Sequence, residues 1–320
     1  MEKKLYMLEK NIIKGTNQIW VKICGITNFE DALFTANAGA DALGFILSTD
    51  SPRKISLEKA EEIITKINNL FSVTKFKNLL NENATTARGK NGIYSKNKTR
   101  SISFVAVLVN ENFSFIKSIL NKKIFDILQL SGDENLDLIY KIKKYNPEIK
   151  IIKALRIKNG YFDDLGNLVL GKLPGKPLCK HLCKHLFKLL GKPLCSPDGL
   201  INPAELAKLS YLNELSELAD LVDFYLLDSY DEKKYGGTGK TLDWQKIKNT
   251  INITKNTHLF SNKPLILAGG LNPENVCLAI KTVKPFGVDC SSGVESFKGK
   301  KDEKKVRKFI KEAKINYLSN

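Results

Sequence analysis

A chain of 320 residues with 42% apolar side chains can bury one large core or two small ones. It has no run of eighteen apolar residues, so no membrane-spanning helix is expected. The net charge of +17 invites a nucleic-acid role, but segments 1–20, 72–101 and 158–202 carry +12 of it, as solvated tails and insertions do.

Residues 1–20 read as an N-terminal extension. Glu2 and Glu9 interrupt it and no apolar h-region follows, so it does not read as a secretory signal. The six cysteines show no disulfide spacing, which points to a reducing, cytoplasmic setting.

From residue 21 to 317 the chain reads as one domain. Apolar, β-rich runs occur at 21–24, 41–47, 103–109, 125–130, 149–154, 222–228, 263–268 and 286–290. Helical patterns lie between them. One begins at Asn28 with Glu30 and Asp31 in its first turn, where a helix N-terminus favours negative charge. Another opens at Ser56, a capping-box pattern with Lys59 in place of the usual glutamate. The rest are expected at 113–120, 134–145, 204–219, 243–251, 273–283 and 302–314. This alternation predicts an α/β protein with the architecture of a (β/α)8 TIM barrel. A doubly wound sheet is the alternative.

Two stretches interrupt the pattern. Residues 72–101 are polar, without apolar periodicity, and lead into the third strand, which assigns them to the N-terminal face of a barrel. Residues 158–202 follow the fifth strand and so belong to the C-terminal face. From Lys172 to Cys195 they form six tetrads, KLPG, KPLC, KHLC, KHLF, KLLG and KPLC. Cys179, His181, Cys183 and His185 look like metal ligands, but residues two apart on a helix point about 200° apart, so no metal site is expected.

Two residues stand out chemically. Cys24 ends the first strand and Asp228 ends the sixth, so parallel strands bring a thiol and a carboxyl to one rim. Alone, each has an ordinary reading: a buried small apolar residue, and a helix cap. Gly269-Gly270 follows strand seven and Ser291-Ser292-Gly293 follows strand eight. In a barrel these adjacent loops form the usual phosphate cradle. Gly236-Gly237-Thr238-Gly239 lacks the spacing of a Walker motif.

KICGITNFEDALFTANAGADALGFIL, SPRKIS, LQLSGDE, KALRI, LLDSY, YGGTGKTLDW, LAGGLNPENV and VDCSSGVESFKGKKD stand in this order between about residues 20 and 315. Together they resemble the phosphoribosylanthranilate isomerase family of tryptophan biosynthesis. The resemblance implies an Amadori rearrangement of N-(5-phosphoribosyl)anthranilate to the 1-amino-1-deoxyketose, with no cofactor or metal. It implies Cys24 as general base, Asp228 as general acid and Arg53 as the grip on the anthranilate carboxylate, a task suited to a guanidinium fork. It makes the glycine-rich stretch after strand six a mobile loop over the site. Asp289 is expected to face the site, in a less defined role. Asp228 must keep its proton until use, so burial should raise its pKa. A thiol near its ordinary pKa of about 8.5 is a poor base at neutral pH, so something must favour the thiolate. Lys22 is set aside for that task, because it shares the site only if it too faces the lumen.

One motif departs from the family: Leu130-Ser131-Gly132 stands where Leu-His-Gly is common, which removes a titratable group. The implied partner is a small phosphorylated substrate, with no nucleic acid and no membrane, acting on a monomer or homodimer. Competing readings are a degenerate barrel that binds a phosphorylated ligand without turnover, a nucleic-acid-binding barrel without a recognised reading motif, and a sibling enzyme of the histidine pathway. That sibling normally uses two aspartates, and Cys24 stands against it.

Overall fold

The computed structural model describes residues 18–48, 50–85, 102–158, 161–162, 218–229, 243–254 and 263–315. The apolar runs become strands buried on both faces, as parallel strands between helices and a packed lumen must be. They are β1 (Trp20–Cys24), β2 (Ala42–Ile46), β3 (Ser103–Leu108), β4 (Ile127–Leu130), β5 (Lys150–Lys158), β6 (Phe224–Ser229), β7 (Leu265–Leu267) and β8 (Gly287–Cys290). Each pairs in parallel with the next, and β8 returns to β1 through Val21↔Val288 and Lys22↔Asp289. That last pairing closes a (β/α)8 barrel and rules out the doubly wound sheet, whose edges stay open.

The helices are α1 (Phe29–Asn37), α2 (Leu57–Thr85), α3 (Phe113–Lys122), α4 (Leu136–Tyr145), α5 (Trp244–Thr254), α6 (Val276–Val283) and α7 (Glu303–Ile315). Asparagines start three of them: the side chains of Asn28, Asn112 and Asn135 accept from the backbone N–H of Asp31, Phe115 and Leu138. Ser56 caps α2 by accepting from Lys59 N–H at 3.1 Å. The outward faces of the strands, such as Val21, Ile23, Leu43 and Phe45, pack against the helices.

A smaller inner cluster fills the lumen, with Ala42, Val105, Val107, Ile152, Ala154, Leu226 and Ile266. At its N-terminal end Trp20, Phe224 and Phe286 stack, with centroids 5.7 to 6.5 Å apart. These three rings form a floor.

Several boundaries differ from the sequence reading. α2 stays helical through Thr85, well into the stretch expected to be an insertion from residue 72. β5 runs on to Lys158 rather than ending at 154, and pairs antiparallel with Tyr161–Phe162. α6 begins at Val276 rather than 273, because Asn272 and Pro273 are held in a turn in which Asn275 Oδ1 accepts from Asn272 N–H at 2.8 Å. The extension at 1–17, residues 86–101, the tetrads, most of the helix expected at 204–219, and the glycine-rich loop at 236–239 lie outside the described residues. Among the described residues no helix is long and apolar enough to cross a membrane.

Candidate active site

Strand alternation decides what enters the lumen. In β1 the inward residues are Trp20, Lys22 and Cys24, since Val21 and Ile23 pack outward. In β6 Phe224 and Leu226 lie in the inner cluster, so Asp228, two residues on, shares their face. Cys24 and Asp228 therefore both sit at C-terminal strand ends facing the lumen. Cys24 is buried and Asp228 half-buried.

The expectation for Lys22 is corrected. Residues two apart on a strand share a face, so a lumen-facing Cys24 carries Lys22 with it. Lys22 is fully buried and donates to Asp289 Oδ2 at 2.9 Å. Asp289 is its register partner on β8. Gly44 of β2 leaves room for both neighbours: a Cβ there would lie 3.0 Å from Cys24 Sγ and 3.0 Å from Lys22 Cε. Burial pushes the Cys24 thiol up, and the Lys22 charge opposes that push.

Arg53 is buried in the loop between β2 and α2. Its Nε and Nη2 donate to the two oxygens of Glu295 at 2.6 and 2.7 Å. Glu295 Oε1 also accepts from Lys301 Nζ at 2.9 Å. Both residues belong to a hairpin, Glu295–Phe297 with Lys300–Lys301, that follows β8. The hairpin is tied back to the β1–α1 loop by Thr27 Oγ1, which donates to Gly299 O, and to the first turn of α1 by Lys300 with Asp31. Gly25 has φ +77 and lies beneath Arg53, so any side chain there would strike Arg53 Cδ.

The two expected phosphate loops adjoin. Gly269 and Gly270 take φ +81 and +66 after β7, and Ser292–Val294 make a 3-10 turn after β8. A Cβ on Gly293 would fall 1.9 Å from Leu271 O, so only glycine lets these loops meet. Ser291 Oγ, Asp289 Oδ1 and Gln129 Oε1 are buried and have no partner among the described residues. On β4 the Gln129 amide donates to Ser131 Oγ at 3.0 Å, so the serine in the family's histidine position holds a glutamine. No group of His, Cys, Asp and Glu that could hold a metal occurs among the described residues; the tetrad Cys and His residues lie outside them.

The chain is 34% identical over 294 residues to N-(5'-phosphoribosyl)anthranilate isomerase of Aquifex aeolicus, covering 92% of this chain and 98% of that protein. The chain belongs to the phosphoribosylanthranilate isomerase family. The same enzyme of Petrotoga mobilis is 33% identical, with 91% and 95% covered. A family model, N-(5'phosphoribosyl)anthranilate (PRA) isomerase, matches residues 201–312. Among solved structures, phosphoribosyl anthranilate isomerase from Thermotoga maritima superposes with TM-score 0.56 at 29% identity, covering 92% of this chain and 98% of that one. A phosphoribosyl anthranilate isomerase solved in complex with reduced 1-(o-carboxyphenylamino)-1-deoxyribulose 5-phosphate gives 0.53 at 28%, with the same coverage.

Within this family member, sequence reasoning missed Gly44, Gln129, Glu295 and Lys301, and set Lys22 aside. Alternation from Cys24 could have recovered Lys22. Nothing local signals Glu295, which meets Arg53 across 242 residues of chain.

Proposed function

We propose that this chain isomerises N-(5'-phosphoribosyl)anthranilate to 1-(2-carboxyphenylamino)-1-deoxyribulose 5-phosphate, with Cys24 as general base and Asp228 as general acid. The observation that carries the assignment is a thiol and a carboxyl on the lumen face at the C-terminal ends of two parallel strands. Asp228 gives a proton to the ribose ring oxygen. The C1–O bond breaks as the anilino nitrogen lone pair forms C1=N⁺. Cys24 then removes the C2 proton, C1=C2 forms, and the C1=N⁺ electrons return to nitrogen. Tautomerisation of this enol moves a proton to C1 and leaves a ketone at C2. C2 is oxidised and C1 reduced within one molecule, so the balance needs no outside oxidant.

The two ends of the substrate bind apart. Gly269, Gly270, Ser291, Ser292 and Gly293 hold the phosphate, with Ser291 Oγ offering an uncommitted donor. Arg53 takes the anthranilate carboxylate. Glu295 uses two of the five guanidinium N–H groups, which leaves an edge able to make a second fork. Asp289 Oδ1 accepts a substrate hydroxyl. The described cysteines, Cys24, Cys277 and Cys290, are thiols, which supports action in the cytoplasm.

The anthranilate ring makes the substrate fluorescent, so purified protein should abolish that fluorescence without added cofactor. Phosphate-ligand binding with undiminished fluorescence would select the degenerate-barrel reading instead. Arg53→Met tests the carboxylate contact. Glu295 keeps Lys301, so the variant leaves no orphaned carboxylate. KM should rise about 10- to 100-fold, the loss of a charge-assisted hydrogen bond. An inhibitor lacking the carboxylate should bind both proteins alike; equal losses for both ligands would make Arg53 structural.

A further inference from the structure

A fully buried lysine beside a reactive thiol needs an explanation, since an ammonium taken out of water is strongly unfavourable unless its charge is answered. Lys22 has no exposed surface and one carboxylate partner, Asp289. Apolar residues fill the lumen around it, so an alkyl side chain would satisfy packing alone. Its position is constrained from two sides. It shares a face with Cys24 on β1, and Gly44 on β2 leaves a gap bordered by Cys24 Sγ and Lys22 Cε.

We propose that Lys22 is a positioning residue for the reaction: its buried ammonium stabilises the thiolate of Cys24, so that more of it forms than burial alone would allow. This rests on the reading of Cys24 as the base. An ammonium has three N–H groups, and Asp289 Oδ2 takes one. The end of the Lys22 side chain and the Cys24 sulfur flank one point, since a Cβ on Gly44 would lie 3.0 Å from Lys22 Cε and 3.0 Å from Cys24 Sγ.

The charges that face Cys24 support the assignment. Lys22 and Asp289 approach from β1 and β8. Arg53 reaches in from the β2–α2 loop, and Glu295 and Lys301 from the hairpin after β8. Asp228 stands on the same lumen face at the end of β6. Of the cations, Lys22 is the one on the same strand and the same face as the thiol. Burial works against the Lys22 ammonium, but Asp289 and Cys24 outweigh it and raise its pKa, so Lys22 stays charged throughout the working range. For Cys24 burial raises the pKa most, Lys22 lowers it, Asp289 raises it and Lys301 lowers it. Each neighbour therefore predicts a sign.

The test titrates Cys24 directly by the ultraviolet absorbance of its thiolate, taken as the difference from Cys24→Ser in each background. In Lys22→Met the Cys24 pKa should rise by about one unit or more, the effect of losing a close opposite charge. At neutral pH kcat should fall about tenfold or more, recover as pH is raised, and leave KM little changed. In Asp289→Asn the Cys24 pKa should fall. Lys22→Met alone leaves Asp289 unpaired, so the double variant Lys22→Met with Asp289→Asn is compared with Asp289→Asn alone; the ammonium should still separate their Cys24 pKa values, with no orphaned carboxylate in either. An unchanged Cys24 titration across these pairs, or a rise in Asp289→Asn, overturns the inference. A fully active Cys24→Ser protein would instead overturn the reading of Cys24 as base, so the two failures are distinguishable.

Discussion

Cys24→Ser and Asp228→Asn should each lower kcat at least about 10²-fold, the usual loss when a general base or acid is removed. Serine keeps the size of the side chain but cannot ionise near neutral pH, so it has no means of taking the C2 proton. Asparagine keeps the shape of Asp228 but has no acidic proton for the ring oxygen. KM should change little in either case, because the proposed grip on phosphate and carboxylate lies elsewhere. Initial rates from anthranilate fluorescence give both constants. A variant that retains more than about a tenth of wild-type kcat would remove that residue from its role. Burial holds the Cys24 proton above its ordinary range, so wild-type kcat/KM should climb with pH through neutrality, as more of the enzyme carries the thiolate. A flat profile over that range would mean that another group abstracts the proton.

The second large effect is on stability. Lys153 and Glu134 form a buried pair at 2.7 Å, with no exposed surface on Lys153. Lys153 also donates to Gly132 O at 2.6 Å, and Glu134 accepts from the N–H groups of Asn110 and Gly132. The pair thus joins the loop after β3 to the loop after β4, beside Gln129 and Ser131. Lys153→Met leaves the Glu134 charge buried without a cation, and should destabilise the protein by about 3–5 kcal/mol. Adding Glu134→Gln to that variant removes the orphaned charge and should recover part of the loss. Urea unfolding of the two variants and the wild type measures this. A single variant within about 1 kcal/mol of wild type would show that the pair is solvated in solution.

The sequence made the barrel legible because parallel strands must be apolar on both faces, and eight such runs leave few architectures. Its limits are equally physical. Apolar periodicity reports a packing partner rather than helicity, so α2 was expected to stop near residue 72 although its backbone remains helical through Thr85. The rim positions of Cys24 and Asp228 follow from their places at strand ends. The charges around Cys24 do not, because they come together only on closure: Lys22 meets Asp289 across 267 residues of chain. Arg53 was legible as a cation after strand two, but its clamp by Glu295 depends on a hairpin at the opposite end of the chain.

The stacked rings of Trp20, Phe224 and Phe286 have a consequence for traffic. Together with the inner apolar cluster they close the N-terminal end of the barrel among the described residues, which leaves the C-terminal rim as the approach to Cys24 and Asp228. Substrate and product must use the same doorway, and a product molecule not yet released bars the next arrival. Turnover is then bounded by how quickly that doorway clears, whatever the speed of the proton transfers behind it.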